Sequence, residues 1–204
     1  MSTLVQAASI DSYISGQATT TNYGTDLGLA CRLIMVGGFK VQWERTIFNF
    51  DLSSIPAGST INSISLALEV WGVDASAAVK LQRCTRPATW TEMGVTWLKY
   101  DGTNNWTNAG GDRDLTVTVT GTFPSGTGTW TIPTSANFVT IAQDAIDNRS
   151  GILSLILFLS DESSSGSSRG GSMRSQEYDG GSAEPKVTVD YTAPTGQRRR
   201  GRFV

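Results

Sequence analysis

The chain has 204 residues, a formal net charge of −2 and only 17% charged residues, which excludes a disordered chain and a charged helical bundle. Glycine occurs 22 times and aromatic residues make up 9% of the chain, as is typical of a protein built from strands and turns. The chain has no histidine, so the most common general base, zinc ligand and partner of a nucleophilic serine or cysteine is missing. We therefore expect a protein that is not an enzyme, although a carboxylate-pair glycosidase needs no histidine.

Apolar and polar residues alternate with a period of two in several segments along the chain. This alternation predicts half-buried antiparallel strands. In chain order, the alternating segments are residues 45–52, 63–72, 114–121, 128–133 and 185–191. The run "ILSLILFL" at residues 152–159 is apolar throughout and too short to span a bilayer, so it predicts a buried strand.

Helical spacing occurs in one segment, residues 134–148, where Ser135 or Asn137 can cap the first turn. Its apolar positions follow the i, i+3, i+4, i+7 pattern of one helix face: Phe138, Ile141, Ala142 and Ala145. The predicted architecture is all-β, a jelly-roll-like antiparallel β-sandwich with one short helix. We expect a single domain over residues 1–192, followed by an Arg-rich tail over residues 193–204.

The segment "WTEMGVTW" places Trp90 and Trp97 seven residues apart, with Glu92 and Gly94 between them. In a strand–turn–strand setting, the two indoles are expected to fill the edge of the core. Glu92 is expected to accept hydrogen bonds from nearby backbone N–H groups and to stabilise the turn at Gly94. We therefore interpret this segment as scaffold and not as a binding site.

Three aromatic residues outside the predicted core are the candidates for binding. Trp71 lies on the polar face of its segment, and Tyr100 and Trp106 lie in the polar loop "LKYDGTNNWTNAGGD". Such rings stack on sugar faces or serve as anchors at protein interfaces, and the sequence does not distinguish these two roles. A cover over the edge of the core is more common than either role alone.

Two further features leave alternatives open. The first is the turn "TNYGTD", whose Asn22 and Asp26 are candidate ligands of a structural calcium ion, since calcium needs only oxygen ligands. The same residues also make ordinary turns without a metal ion. No other cofactor is expected. Cys31 and Cys84 fit no metal-binding spacing, and they form either one disulfide or two buried thiols.

Four segments in order give the chain a resemblance to the DNRLRE-type domain, from about residue 10 to residue 191. They are "IDSYISGQATTTNYGTDLGL", "RTIFNFDLSSIPAGSTINSISLALEV", "WTEMGVTW" and "FLSDES…EPKVTVDY". The resemblance implies a jelly-roll β-sandwich related to carbohydrate-binding modules. It also implies a domain of large secreted, cell-surface or polysaccharide-acting proteins, but the N-terminus here has no basic region followed by an apolar run of signal-peptide length.

The C-terminal segment "TGQRRRGRFV" differs from the rest of the chain in charge. Residues 1–196 carry 12 basic and 18 acidic residues, a net charge of −6, so the tail is basic on an acidic body. Its side chains are expected to pair with carboxylates of a neighbouring subunit and to anchor in an apolar groove: Arg198, Arg199, Arg200, Arg202 and Phe203. A solvated arm is the second alternative. Nucleic acid comes third and is not expected, because the body is acidic.

The main functional hypothesis is a non-enzymatic phage virion protein that decorates or cements a capsid, or that forms a head-fibre or spike module. Its partners would be the major capsid protein or other virion proteins, its own copies in a homo-oligomer, and a host-surface polysaccharide. The alternative is a carbohydrate-binding module of a cell-surface or polysaccharide-acting system, with an extracellular location. A polysaccharide lyase or hydrolase is the third hypothesis, and no membrane partner is expected.

Overall fold

The computed structural model describes residues 1–86, 89–164, 166–178 and 183–194, which form ten strands and one helix. The elements are β1 (Ser2–Ser15), β2 (Gly28–Val36), β3 (Phe39–Asp51), β4 (Thr60–Ala75), β5 (Ala77–Cys84), β6 (Arg113–Phe123), β7 (Gly128–Ile132), α1 (Ala136–Asn148), β8 (Ile152–Leu159), β9 (Arg169–Arg174) and β10 (Lys186–Thr192). All of the strand pairings among these residues are antiparallel. The predicted all-β class with one short helix is therefore confirmed.

Six strands close into a barrel-like ring in the order β1, β10, β4, β9, β2 and β3. β1 closes the ring because its first half pairs with β10 and its second half pairs with β3, with a register shift between Ala8 and Ile10. β8, β5 and β6 extend the sheet from β3, and β7 pairs with β4. The finer prediction of a two-layer jelly roll stays a prediction.

The core consists of two apolar clusters on opposite faces of β3 and β8. The larger cluster contains Phe48 and Phe50, and the smaller one contains Ile47, Trp90 and Ile156. The sequence predicted one polar face for β3, but Arg45 and Asn49 on that face are only 7% and 6% exposed. The prediction of a half-buried strand is therefore wrong for β3. The chain around Trp90 covers the face of β3 that was expected to be exposed.

Helix α1 begins after Ser135, whose side chain accepts a 3.2 Å hydrogen bond from the backbone N–H of Phe138. Of the two predicted caps, Ser135 is therefore the one used. The predicted apolar face is buried, and Ile146 joins it. The helix packs on β4, β6 and β8. Within the described ranges, no helix is both long enough and apolar enough to cross a membrane.

Candidate functional site: an aromatic cleft beside Trp71

Trp71 lies at a β-bulge in strand β4. Val70 pairs with Met173 and Gly72 pairs with Ser172, so Trp71 is the extra residue between them. A bulge bends the strand locally and is common next to binding sites. The Trp71 indole is 49% exposed, as the sequence predicted, and its Nε1 donates a 3.1 Å hydrogen bond to the Met173 carbonyl.

Beside this indole lies a cavity of about 370 Å³, which we call the Trp71 cleft. Its walls combine aromatic, charged and small residues from β1, β2, β4, β9 and the loop before β2, among them Tyr13, Asp26, Leu27, Arg32, Trp71 and Ser172. Gly28, at the start of β2, leaves space beside the indole. A side chain at this position would fill that space, because its Cβ would contact Trp71 Nε1 at 3.4 Å. The lining of the Trp71 cleft therefore combines a flat aromatic ring with hydrogen-bonding groups.

Arg32 is the cation of the Trp71 cleft, and its orientation is set from the neighbouring strand. Arg32 on β2 pairs directly with Glu44 on β3, and its Nε donates to Glu44 Oε2 at 2.7 Å. Glu44 is 2% exposed, whereas the Arg32 side chain is 30% exposed. The ion pair therefore anchors the buried side of the guanidinium and leaves the rest facing the cleft.

Asp26 and Asp74 add negative charge around Arg32. The Tyr13 hydroxyl donates a 3.1 Å hydrogen bond to Asp26 Oδ2, and burial raises the pKa of Tyr13, so the hydroxyl stays a donor. Asp74 lies at a second irregularity of β4, between Val73 and Ala75. Burial raises the pKa of Asp74, while the nearby Arg32 guanidinium acts in the opposite direction.

The structure separates the three candidate aromatics of the sequence. Trp106 is 5% exposed, and its indole Nε1 donates to the Thr96 carbonyl at 2.9 Å, so the expected exposure of Trp106 is wrong. The loop around Trp106 is polar in sequence, but it folds back over the smaller core cluster and buries the ring. Tyr100 is half-buried against Trp106, with ring centroids 5.6 Å apart. Only Trp71 of the three belongs to the Trp71 cleft.

A larger cavity of about 500 Å³ lies near Tyr100 and is lined by polar and charged residues. Arg86 stacks on Tyr100 at 4.6 Å and donates to Asp112 Oδ2 at 3.1 Å. Asp112 also accepts hydrogen bonds from the backbone of Thr107 and Asn108, so its charge is already compensated. Among the described residues that line this cavity none is aromatic, so it lacks the flat ring that the Trp71 cleft presents.

The segment "WTEMGVTW" is scaffold, as the sequence predicted. Trp90 is 3% exposed, and Trp97 is half-buried and packs edge-on against Trp43 at 6.0 Å. Gly94 lies so close to the Asp101 backbone that no Cβ would fit. The backbone donor to Glu92, however, is Asp11 of β1 at 2.9 Å and not a group of the local turn.

Among the described residues, one group of acidic side chains could hold a metal ion: Asp11, Glu92 and Glu177. One carboxylate oxygen of each lies within 4.8 Å of the others. The predicted calcium ligands are not in this group. Asn22 donates its amide to the carbonyls of Glu92 and Val95 and so bridges a turn, and Asp26 belongs to the Trp71 cleft.

Two other predictions concern the cysteines and the tail. Cys31 and Cys84 are both free and buried, the first in the larger core cluster and the second in the smaller one. The alternative of two buried thiols is therefore confirmed. The predicted anchors of the tail lie outside the described residues: Arg198, Arg199, Arg200, Arg202 and Phe203.

The sequence pointed to Trp71 but missed Tyr13, Asp26 and Arg32 as parts of one site. Two signals were present in the sequence. The aromatic Tyr13 lies next to the apolar Ile14, and the charged Arg32 lies inside the apolar run "GLACRLIMV". Neither signal shows that the closed ring of strands brings the side chains of β1, β2 and β4 together.

Comparison with known protein families gives a match over the first part of the chain. Residues 2–120, more than half of the chain, match the sequence profile of carbohydrate-binding module family 96. This range contains β1 to β5 and therefore Tyr13, Asp26, Arg32 and Trp71. No curated protein sequence matches the chain. The chain therefore belongs to carbohydrate-binding module family 96.

Proposed function

We propose that this protein is a non-catalytic carbohydrate-binding module that holds a glycan in the Trp71 cleft. The observation that carries the proposal is the half-exposed Trp71 indole at the edge of a cleft that also presents Arg32 and Asp26. Family membership supports the same function. The DNRLRE type and the jelly-roll arrangement, which the sequence also suggests, are part of this proposal.

The Trp71 indole is suited to stacking because its position is held from two sides. Its Nε1 is bonded to Met173, and the Arg174 guanidinium lies 5.1 Å from the ring centroid. The same guanidinium lies 3.7 Å from the Tyr178 ring, so Arg174 is itself held in place. A ring that is ordered before binding loses little conformational entropy when a sugar stacks on it.

The charges of the Trp71 cleft favour a neutral glycan. Arg32 is paired with Glu44 and lines the cleft together with Asp26, and Asp74 lies near it. With Arg174 at the Trp71 ring, two guanidinium groups are therefore outnumbered by three carboxylates. An acidic polysaccharide would approach a surface of like charge, which slows association and weakens binding. Carboxylates and a guanidinium instead accept from and donate to the hydroxyl groups of a neutral sugar.

The test is isothermal titration of the full chain with soluble neutral polysaccharides and, in parallel, with polyuronates. We expect binding to at least one neutral chain and an affinity loss of about tenfold or more in Trp71→Ala, since tenfold corresponds to about 1.4 kcal/mol. Phe39→Ala is the matched control, because Phe39 is 75% exposed and does not line the cleft. Equal affinity of Trp71→Ala and the parent protein, or binding to polyuronates alone, would disprove the proposal.

The capsid-decoration hypothesis, with its virion location, major capsid protein partner and homo-oligomer, stays a prediction. Glycan binding at the Trp71 cleft is compatible with a module on a virion or with one outside the cell. Deleting residues 197–204 and measuring particle occupancy tests the tail: unchanged occupancy would remove it from the interaction.

A further inference from the structure

Three carboxylates from distant parts of the chain converge at one point. Asp11 lies on β1, Glu92 lies in "WTEMGVTW", and Glu177 lies after β9. Their oxygen atoms lie within 4.8 Å of one another, close enough for a single cation to contact all three. Asp11 is 1% exposed, and the other two are half-buried.

Two of these carboxylates have an oxygen atom with no hydrogen-bond partner. Within the described ranges, Asp11 Oδ1 and Glu177 Oε2 are buried and unpartnered. The other oxygen of Asp11 accepts a 3.0 Å bond from the backbone N–H of Gln176, which holds the carboxylate in the cluster. Buried polar atoms nearly always have a partner, so these two oxygens point to a ligand.

We propose that Asp11, Glu92 and Glu177 bind one calcium ion. All three ligands are carboxylates, and hard cations such as calcium prefer oxygen donors. Calcium accepts irregular sets of six to eight oxygens, whereas magnesium requires a near-octahedral set, so three carboxylates plus water suit calcium better.

The electrostatics of the cluster support a bound cation. Burial, together with the charge of Glu177, raises the pKa of Asp11 to about 8, and the other charges that act on it, Glu92 and Glu184, are also negative. Burial likewise raises the pKa of Glu92. A divalent cation would remove this repulsion and supply the partner that the unpaired oxygens lack.

The calcium site would join three segments and stabilise the wall of the Trp71 cleft. Gln176 bonds to both Asp11 and Glu92, and the neighbouring Ser175 donates its hydroxyl to the Asp26 carbonyl at 2.6 Å. The effect on the cleft rests on the proposed function. The calcium site itself does not, and its test uses no glycan.

The experiment is calcium titration of the full chain after EDTA treatment and dialysis, followed by calorimetry and by thermal unfolding. We expect binding of one ion per chain and a rise in Tm of roughly 5–10 °C at calcium about 100-fold above Kd. Asp11→Asn and Glu177→Gln should each weaken calcium binding by about tenfold or more, because each removes one ligand charge. Asp51→Asn and Glu69→Gln are the matched controls and should bind as the parent chain does, since neither residue belongs to the cluster.

The metal-free Tm separates a calcium ligand from a purely structural carboxylate. Asparagine and glutamine carry no charge that burial or neighbouring carboxylates could penalise, so without calcium Asp11→Asn and Glu177→Gln should unfold at the parent Tm or above it. The proposal would be overturned if the two variants lost as much Tm without calcium as with it. It would also be overturned if calcium raised the Tm of both variants as much as that of the parent chain, or if the parent chain gave no heat of binding at millimolar calcium. An equal or larger shift with magnesium would overturn the assignment to calcium. If calcium binds as expected but no glycan does, only the proposed function fails.

Discussion

The indole Nε1 of Trp90 donates a 2.8 Å hydrogen bond to Oδ1 of Asn49 and a second bond of 3.1 Å to Ser154 Oγ. These bonds join the loop after β5 to the covered face of β3 and β8. Trp90 is therefore the residue through which "WTEMGVTW" acts as scaffold.

Replacing Trp90 with phenylalanine should lower the free energy of unfolding by about 1–3 kcal/mol, because the buried donor is lost from a polar contact. Urea denaturation measures the change. Trp71→Phe is the control, since its indole is half-exposed, and it should cost less than about 1 kcal/mol. Equal losses in the two variants would contradict the scaffold role of Trp90.

The ion pair between Arg32 and Glu44 predicts an asymmetric pair of substitutions. Arg32→Gln should lower the free energy of unfolding by about 3 kcal/mol, because Glu44 is 2% exposed and would lose its cation. Glu44→Gln should cost less, since Arg32 can still reach water.

The double variant, Arg32→Gln with Glu44→Gln, should recover part of the loss, because it leaves no unpaired buried charge. A double-mutant cycle by urea denaturation gives the coupling energy. Strictly additive losses would show that the two side chains do not interact as described.

Gly151, just after α1, should not tolerate a side chain. Its φ is +83°, and an added Cβ would lie 2.6 Å from the Ser53 backbone. Its N–H donates to the Ala145 carbonyl and its carbonyl accepts from Leu52, so the backbone cannot move away. Gly151→Ala should cost roughly 2–4 kcal/mol in urea denaturation.

The control for Gly151 is Gly126→Ala, where an added Cβ meets nothing within 4 Å. This variant should change the free energy of unfolding by less than about 0.5 kcal/mol. A comparable loss at both positions would contradict the close approach of Gly151 to Ser53.

Both thiols should be unreactive in the folded protein. Cys31 and Cys84 are free and 0% exposed, and burial raises the pKa of Cys84 to about 11. With a chromogenic disulfide reagent at neutral pH we expect no fast reaction in buffer and two reactive thiols per chain in urea. No reaction in urea without a reductant would indicate a disulfide instead.

Local patterns in the sequence were sufficient for the helix and for six of the ten described strands: β3, β4, β6, β7, β8 and β10. Alternation in residues 63–72 placed Trp71 on the outer face, and the spacing of Phe138 and Ile141 placed the helix. These predictions succeed because strand and helix periodicity depend on neighbours a few residues away. The polar sequence around Trp106 misplaced that residue, since its burial depends on a loop that folds back over a distant cluster.

By itself the sequence determined the all-β class, the single helix, the scaffold role of "WTEMGVTW" and the outward direction of Trp71. Only the tertiary structure decided that Tyr13, Arg32 and Trp71 line one cleft and that Asp11, Glu92 and Glu177 meet. The physical reason is the closed ring of strands. It brings β1, β2, β4 and β9 together through antiparallel pairings between residues far apart in the chain, and no local periodicity encodes those pairings.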